Sequence, residues 1–460
     1  MAAEILQRRK ILLWVGAGNS CSAGIPADTD NENGLAYRLA LIHYNNDVAQ
    51  IVASVGQGFR LADLAAVVGK PRIRELILQQ AWIDFAVSES HRAIAALVAE
   101  GFHVEVVTVN YDPLLEKALS EEGVGPVIIF SAATYHKLTE DAAFVVKIHG
   151  CPFRDNDATH LLMLQGELAA PPAWVTTFLT GRLPERVFVY VGFSGNAEYV
   201  RQSIRTISIQ LDGNVNQAFA VDIVPANEVF TNGNALGTFY SDSGVPAAQY
   251  SSAGADSLFR EVANIVFREL MLSQLNSAAT LAATHGCNDH AWLSEIITVM
   301  SYVHVRSFVR KLHSLSDDKP SRINKVVLKR IFKWMLILTC RGLIEKASFR
   351  PFLAFPYYPG PLGIAAAPIV FFDGLGQEVT VCCEDIRNLG KQEKFRSEWQ
   401  IGAEPKWYAV IVNCVGNAQM PELEIIQMEK DSTARGYDPI LFVDENTMVS
   451  EITNIEALFQ

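Results

Sequence analysis

The feature that most constrains this chain is an apolar run near its beginning that stops in a glycine-rich turn. The run Ile11–Val15 leads directly into the sequence GAGNS at residues 16–20, and Gly24 follows six residues after Gly18. This order predicts a buried β-strand, a tight turn and then a helix. Glycines let the backbone approach a pyrophosphate closely, and the amides and dipole at the start of a helix stabilise its charge. A turn that binds no ligand is the alternative, because the spacing differs from the dehydrogenase pattern G-x-G-x-x-G.

Three later stretches have the same form, a β-branched apolar run that ends in polar or glycine residues. They read VEVVTVNYD at 104–112, VVKIHG at 145–150 and VFVYVGFS at 187–194. Such runs are typical of buried parallel strands, whose carboxyl ends meet at one edge of a sheet and carry binding residues there. The sequence therefore predicts an α/β fold built on a doubly wound parallel sheet.

The remaining segments predict a helical cap and a second domain. Apolar residues recur at three and four residue spacings within residues 27–100, which predicts helices that cover the cleft. A helix over 258–272 closes the first domain, and the small and polar stretch 273–286 marks a boundary near 275. Beyond it we expect a mixed helical and β-rich domain, with helices over 292–315 and 324–346 and strands at 368–372, 379–383, 407–414, 423–428 and 440–443.

Charge and cysteine content exclude several functions. The net charge of −12 and the pI near 5.4 argue against a general affinity for nucleic acid or an anionic membrane. A basic stretch at 306–333 is either a local binding patch or, as we favour, a solvated helix face. The first apolar run is too short for a signal-peptide core, no stretch reaches membrane-spanning length, and the seven cysteines are scattered and odd in number. We therefore expect a cytoplasmic protein with reduced thiols.

The order of the motifs resembles the sirtuin family. GAGxSxxxGIP, TxNxD, KxHG and GxS follow one another, each at a predicted strand end, and HRAIAAL at 91–97 is similar to the H-x-A-L helix of that family. Ordered motifs in their expected structural context are far more specific than any one of them. The resemblance implies a Rossmann-like, NAD-binding catalytic domain over residues 1–272, with residues 273–460 as a sensor, oligomerisation or partner-binding module.

By this resemblance two side chains, Asn110 and His149, carry the chemistry. Asn110 orients a ribose hydroxyl or the attacking water. His149 is the general base, since an imidazole that titrates near neutrality can take a proton at physiological pH. Each residue also has a structural alternative: Asn110 in a helix cap before Pro113, and His149 as a packed core residue beside its strand.

Further residues are implied to bind the cofactor. Asp112 contacts the nicotinamide carboxamide, Ser194 a phosphate or ribose, and Asp222 the adenosine ribose, whose two hydroxyls a carboxylate can accept. The alternative for Asp222 is a turn residue before Pro225. The full set predicted to hold NAD is Gly16, Ala17, Gly18, Ser20, Ile25, Asp112, Gly192, Ser194 and Asp222.

The chain departs from the sirtuin pattern in several places. Val109 stands where the family has Gln, and the residues ADT at 27–29 replace an Asp-Phe-Arg whose arginine lies near the reacting ribose. Deacylating members carry a structural zinc on two C-x-x-C pairs, whereas the interval from Cys151 to Val191 has one cysteine and tetrahedral thiolate zinc needs four. We therefore expect no zinc. Tyr111 makes the second motif look like that of bacterial immune sirtuin-like enzymes.

The resemblance thus implies a hydrolase that cleaves the nicotinamide–ribose bond of NAD, acting as an NAD-depleting effector of anti-phage defence by abortive infection. The alternatives are an NAD-dependent protein deacylase or ADP-ribosyltransferase, and a module that binds NAD or ADP-ribose without turnover. Because a free NAD hydrolase poisons its host, we expect restraint by homo-oligomerisation or by a defence partner such as an ATPase or a short Argonaute. No direct binding of nucleic acid or membrane is expected.

Overall fold

The computed structural model of this chain comprises two compact units, Met1–Ala263 and Asn264–Gln460. The residues that the structure describes are 1–7, 9–138, 143–168, 172–182, 184–193, 218–231, 233–284, 290–306, 369–372, 378–385, 406–412 and 440–443.

One sheet of seven strands organises the first unit. The strands are β1 (Ile11–Val15), β2 (Val104–Thr108), β3 (Val127–Ile129), β4 (Phe144–Lys147), β5 (Val187–Val191), β6 (Ala218–Val221) and β7 (Tyr250–Ser251). Their order across the sheet is β3-β4-β2-β1-β5-β6-β7, and every neighbouring pair is parallel. The predicted Rossmann-like, doubly wound parallel sheet is confirmed.

The strand β1 lies at the centre of the sheet because its side chains are apolar on both faces. All residues of β1 and of β5 are buried, as expected of strands with both faces covered. Trp14 pairs in register with Val107 of β2 on one side and with Tyr190 of β5 on the other. The chain adds β2 to β4 on one side of β1 and then β5 to β7 on the other, so a crevice opens beside the carboxyl end of β1.

Helices between β1 and β2 form the predicted cap. Their apolar positions at three and four residue spacing are buried, including Leu61, Leu64, Ile73 and Leu76. The described helices that lie wholly in the first unit are α1 (Ala2–Leu6), α2 (Gly18–Cys21), α3 (Leu35–His43), α4 (Val48–Val55), α5 (Leu61–Val68), α6 (Lys70–Gln79), α7 (Glu89–Ala99), α8 (Leu114–Glu121), α9 (Ala132–Tyr135), α10 (Gln165–Leu168), α11 (Ala173–Arg182), α12 (Ala226–Val229) and α13 (Ala235–Asp242). The cap helices α3 to α6 contact one another, so they form a small layer of their own.

A long helix, α14 (Ala255–Thr284), includes the point where the two units divide. The sequence predicted a helix that ends at 272 and a boundary in the small, polar stretch that follows. The helix instead continues through that stretch, since its alanines and leucines are good helix formers. The predicted domain division at 272 falls within α14 and stays a prediction.

The second unit also contains α15 (His290–Val299), α16 (Tyr302–Arg306) and a sheet of β8 (Ile369–Phe372), β9 (Glu378–Asp385), β10 (Lys406–Val412) and β11 (Ile440–Val443). The order of this sheet is β11-β10-β9-β8, with β8 antiparallel to β9 and the other pairs parallel. These strands lie where the sequence predicted strands. The predicted helix at 324–346 and strand at 423–428 lie outside the described residues. Within the described ranges, no helix is long and apolar enough to cross a membrane.

Candidate active site

One cavity of about 640 Å³ lies in the first unit where β1, β2, β4, β5 and β6 end, and residues of the cap line its other wall. Its size is in the ordinary range for a small-molecule site. Ser194 lies outside the described residues. The predicted site residues that do line the cavity are Gly16, Ala17, Gly18, Ser20, Ile25, Asn110, Asp112, His149, Gly192 and Asp222.

The glycines of the first loop are required by its contact with the end of β5. A Cβ atom added to Gly16 would lie 2.5 Å from the Gly192 carbonyl oxygen, and one added to Gly18 would lie 2.8 Å from Gly192 Cα. Gly192 itself has a φ of +57°, a left-handed conformation that glycine adopts without strain. The three glycines therefore let two loops touch, whether or not a ligand is bound.

The loop differs from the expected helix N-terminus. The helix α2 has only four residues, so its dipole is far smaller than that of a full helix. The loop amides already donate within the protein: Gly16 N to Val191 O at 2.8 Å, Gly18 N to Gly192 O at 3.0 Å and Ser20 N to Ala17 O at 2.9 Å. The helix ends at Cys21, shortly before Gly24, whose φ of +89° is a left-handed conformation typical of the residues that follow a helix.

Asn110 is held at the end of β2 by contacts with the first loop. Its side-chain Nδ2 donates to the Gly16 carbonyl oxygen at 3.0 Å and to Ser20 Oγ at 3.3 Å. Its backbone amide donates to Thr108 Oγ1 at 3.0 Å. Both donations by Nδ2 orient the carboxamide, so Oδ1 is the atom that can accept a hydrogen bond from a ligand.

Asn110 does not cap α8, whose N-cap is Pro113, and the side-chain contact with the start of that helix comes from Asp112. Asp112 is buried, and its Oδ1 accepts from the backbone amide of Leu114 at 3.1 Å, at the start of α8. Such a bond satisfies one of the amides that a helix leaves without an internal partner. Asp112 lines the cavity as well, so the structural contact and the predicted ligand contact are compatible.

His149 follows β4 and is half-buried at the cavity wall. Burial lowers the pKa of the imidazole from its ordinary value of 6.5 to about 4, although a hydrogen bond with the Val109 backbone acts in the opposite direction. Donation from one ring nitrogen to that carbonyl leaves the lone pair on the other nitrogen. The sequence predicted titration near neutrality; the lowered pKa instead keeps the imidazole neutral near pH 7.

Two neighbours place the His149 ring. The centre of the Tyr111 ring lies 5.9 Å from that of His149, and the Tyr111 hydroxyl donates to the Leu162 carbonyl oxygen at 2.8 Å. Gly150 has a φ of +88°, and a Cβ atom there would lie 2.5 Å from the His160 carbonyl oxygen. The glycine after His149 is therefore required by the backbone conformation and by the close approach of the next segment.

Lys147 is fully buried beneath the Asn110–Asp112 segment. Its Nζ donates to the Asp112 carbonyl oxygen at 2.6 Å and to Glu116 Oε1 at 2.9 Å. Burial acts to lower the pKa of this ammonium group, but the Glu116 carboxylate and other nearby negative charges raise it above its ordinary value. Lys147 and Glu116 therefore form an ion pair.

Two more carboxylates lie at the cavity. Asp28 Oδ1 accepts from the Leu61 amide at 3.0 Å, and Asp222 Oδ1 accepts from the Ile223 amide at 2.6 Å. Burial raises the pKa of both carboxyl groups, while hydrogen bonds from backbone amides act against this. One carboxylate oxygen of Asp222 therefore accepts a hydrogen bond within the turn, as the alternative interpretation predicted. The residue also lines the cavity.

A buried polar network lies behind the first loop and was not predicted. Asn19 and His91 are fully buried, and Asn19 Nδ2 lies 3.0 Å from His91 Nε2. Because the amide nitrogen is a donor, His91 Nε2 accepts, and Nδ1 donates to Ser88 Oγ at 2.7 Å. Burial lowers the pKa of His91. The pairing joins residues far apart in the chain, which no local sequence pattern indicates.

The cavity residues that sequence reasoning missed come from the cap and from the segment after β4. The helical pattern marked Leu61 and Trp82 only as core positions, since periodicity does not indicate which end of a cap faces a cleft. The segment after β4 joins the cap through Lys70 and Glu167, whose Nζ and Oε1 atoms are 2.7 Å apart. The missed lining residues include Arg60, Leu61, Asp63, Trp82, Tyr111, Met163, Gln165 and Leu168.

Two solved structures of Sir2 homologues are similar to part of this chain. A mutant of a Sir2 homologue in complex with ADP-ribose is 16% identical, with a TM-score of 0.35, and the match covers 58% of this chain and 96% of that chain. A Sir2 homologue in complex with NAD is 15% identical, with a TM-score of 0.33 and coverage of 56% and 90%.

Two curated relatives match this chain in sequence. One is the NAD(+) hydrolase ThsA of Cytobacillus dafuensis, 27% identical over 156 residues, which are 33% of this chain and 30% of the relative. The other is the NAD(+) hydrolase ThsA of Bacillus cereus (strain MSX-D12), 26% identical over 203 residues, which are 42% of this chain and 40% of the relative. The chain thus matches less than half the length of either relative.

A sequence profile described as a SIR2-like domain matches residues 104–232. This segment runs from β2 to just beyond α12, and it contains Asn110, His149, Gly192 and Asp222. The profile match and the two relatives agree with the resemblance that the motifs indicated. Residues 104–232 of this chain are therefore similar to a SIR2-like domain.

Proposed function

We propose that this chain hydrolyses NAD at the bond between nicotinamide and its ribose. The observation that carries the proposal is a single cavity lined by both Asn110 and His149, together with the glycine loop after β1. The names of the two curated relatives, both NAD(+) hydrolases, support the same reaction.

The two predicted catalytic side chains suit this chemistry. When the bond from the ribose carbon to nicotinamide breaks, the bonding electrons leave with nicotinamide and positive charge develops on the ribose. A water oxygen then bonds to that carbon, and the neutral imidazole of His149 accepts the proton that the water loses. Asn110 Oδ1 accepts a hydrogen bond from this water or from a ribose hydroxyl, which orients the reacting groups. The products are nicotinamide and ADP-ribose.

Hydrolysis is favoured over protein deacylation by the cysteine content of one segment. Residues 151–191 contain one cysteine, so four thiolates cannot bind a structural zinc there. Deacylation and ADP-ribosyl transfer need a protein acceptor. They are distinguished from hydrolysis by whether NAD is consumed when no acceptor is present.

We further propose that residues 1–272 are the catalytic domain and that residues 273–460 sense a trigger or mediate assembly. A hydrolase of free NAD must be restrained in its host, so we expect homo-oligomerisation or a defence partner to control it. The role that follows is NAD depletion in infected cells, as an effector of anti-phage defence. A culture that expresses the chain should lose NAD only after phage challenge, and one that expresses Asn110→Ala should keep it.

The direct test mixes the purified chain, at low and high concentration, with NAD and follows nicotinamide and ADP-ribose by chromatography. We expect both products from the wild type and a loss of at least about 100-fold in Asn110→Ala and in His149→Ala, the usual scale for a catalytic acid–base group. The control is His136→Ala, because His136 is exposed and does not line the cavity.

Three outcomes count against hydrolysis. Product release that persists in Asn110→Ala and His149→Ala places the chemistry elsewhere. Consumption of NAD only with an acyl-lysine peptide, or transfer of label from NAD to protein, indicates an acceptor-dependent enzyme. Tight binding of NAD without release at any concentration indicates a binding module.

A further inference from the structure

The charges around the cavity are unevenly distributed. Four carboxylates line it, from Asp28, Asp63, Asp112 and Asp222. Among the described lining residues, Arg60 alone carries a guanidinium or ammonium group. An anionic ligand that enters this cavity therefore meets repulsion from the carboxylates and attraction from one side chain.

The backbone of Arg60 is held firmly at the start of α5. Its amide donates to Asp63 Oδ2 at 2.9 Å, and the amide of the next residue, Leu61, donates to Asp28 Oδ1 at 3.0 Å. The Leu61 side chain is buried. The side chain of Arg60 thus extends from a fixed point of the cap at the cavity wall.

The guanidinium group of Arg60 has unused donors. Within the described residues it makes no ion pair and no side-chain hydrogen bond; its attraction to the Asp28 carboxylate is electrostatic and only opposes the rise in the pKa of Asp28 that burial causes. A guanidinium has five N–H donors in a planar fork that matches two oxygens of a phosphate. These donors are available to a ligand. Arg60 lines the cavity, as does the Asp28 carboxylate that attracts it.

The loop after β1 does not supply this charge. The amides of Gly16, Gly18 and Ser20 already donate to carbonyl oxygens of the protein, and α2 has four residues. A dinucleotide brings two negative charges on its pyrophosphate. Without a cation those charges would face four carboxylates and a loop with few donors to spare.

We propose that Arg60, from the cap, binds the pyrophosphate of the dinucleotide. This inference rests on the proposed function, because it assigns a phosphate-bearing substrate to the same cavity. It gives the cap a direct part in substrate binding. When the ligand binds, the Arg60 guanidinium forms a bidentate, charge-assisted contact with phosphate oxygens in place of its electrostatic attraction to Asp28.

The test compares the whole chain with Arg60→Gln, Arg60→Lys and a matched control, Arg38→Gln. Arg38 is exposed on α3 and does not line the cavity. ADP-ribose and ADP, which share the pyrophosphate, are titrated by calorimetry. We expect Arg60→Gln to weaken both affinities by about 10- to 100-fold, the scale for one lost hydrogen bond to a charged group. Arg60→Lys should recover part of the loss, since it keeps the charge but not the fork, and Arg38→Gln should change nothing.

The kinetics with NAD separate binding from folding. The KM of Arg60→Gln should rise by a similar factor with kcat nearly unchanged, because a pyrophosphate contact is the same before and during bond breaking. Equal affinities of wild type and Arg60→Gln overturn the inference. A loss that is just as large in Arg60→Lys also overturns it, because it indicates a structural role.

The failure of the proposed reaction gives a different result. A wild type that binds ADP-ribose through Arg60 but releases no nicotinamide from NAD refutes hydrolysis and leaves the phosphate contact standing. A wild type that binds neither ADP-ribose nor ADP overturns the phosphate contact as well.

Discussion

Asn110 Nδ2 donates to the Gly16 carbonyl oxygen at 3.0 Å. The bond ties the end of β2 to the loop that follows β1, and Asn110 is therefore both a predicted catalytic residue and a clamp between two strand ends. A substitution at Asn110 changes the shape of the loop as well as the contact with a ligand. The two effects can be separated by the choice of substitution.

Asn110→Asp should be more harmful to stability than Asn110→Ala. A carboxylate at this place has no donor for the Gly16 carbonyl and puts two oxygens face to face, whereas alanine only removes the bond. We expect Asn110→Ala to lower the free energy of unfolding by about 1 kcal/mol and Asn110→Asp by about 2 to 3 kcal/mol. Urea unfolding measures both, with the exposed Asn33→Asp as control. Equal stability of wild type and Asn110→Asp would contradict this clamp.

Gly18→Ala should destabilise the protein although alanine is the smallest change available. The added Cβ would lie 2.8 Å from Gly192 Cα, which is backbone and cannot move alone. We expect a loss of about 1 to 3 kcal/mol, as for other overpacked sites. The control is Gly125→Ala, because a Cβ there meets nothing within 4 Å. The same thermal midpoint for Gly18→Ala and Gly125→Ala would contradict this prediction, because the loop would then accommodate the added methyl group without a loss of stability.

The parts of the fold that the sequence predicted are those with a local signal. The runs at β1 and β5 are apolar over their whole length, and those at β2 and β4 are apolar except for Glu105 and Lys147. Such runs are typical of strands buried on both faces, and each run leads into residues that line the cavity. The apolar residues at three and four residue spacings likewise predicted the helical cap. Each of these predictions depends on residues that are neighbours in the chain.

The parts that the sequence did not reveal depend on residues that are distant in the chain. Arg60 lines the cavity because the cap folds over the sheet, and the contact of Asn19 with His91 joins a loop to a helix 72 residues later. The sequence predicted a helix after the glycine-rich turn, but it did not indicate that this helix has only four residues. The low pKa of His149 follows from burial at a strand end, and burial is a property of the folded chain.

The low pKa of His149 predicts a pH dependence of stability. The folded imidazole has a pKa of about 4 against the ordinary 6.5, so below 6.5 the unfolded chain takes up a proton that the folded chain does not. Stability from this group is complete above 6.5 and falls as the pH drops from 6.5 towards 4. His149→Asn should lose less stability than wild type between pH 7 and pH 5. Urea unfolding at the two pH values measures this, and equal losses would contradict the buried, neutral imidazole.

The same shift predicts the activity profile. If the neutral imidazole accepts the proton, kcat/KM for NAD should stay level from pH 8 down to about pH 5, where a histidine of ordinary pKa would already be losing activity. Circular dichroism at each pH controls for unfolding. A fall in kcat/KM centred near pH 6.5, with the fold intact, would show that His149 titrates normally or is not the base.

Lys147 should position the Asn110–Asp112 segment through its contact with the Asp112 carbonyl oxygen, at 2.6 Å. Lys147→Met leaves the Glu116 carboxylate without its buried partner, and we expect a loss of about 3 kcal/mol. The double variant Lys147→Met with Glu116→Leu removes both charges and should regain much of that stability, because an apolar pair avoids the cost of burying an unpaired ion. It cannot replace the donor to the Asp112 carbonyl, so NAD cleavage should stay low while urea unfolding approaches that of wild type. Recovery of both stability and cleavage in the double variant would contradict the positioning role, because it would show that Lys147 matters only as the partner of Glu116.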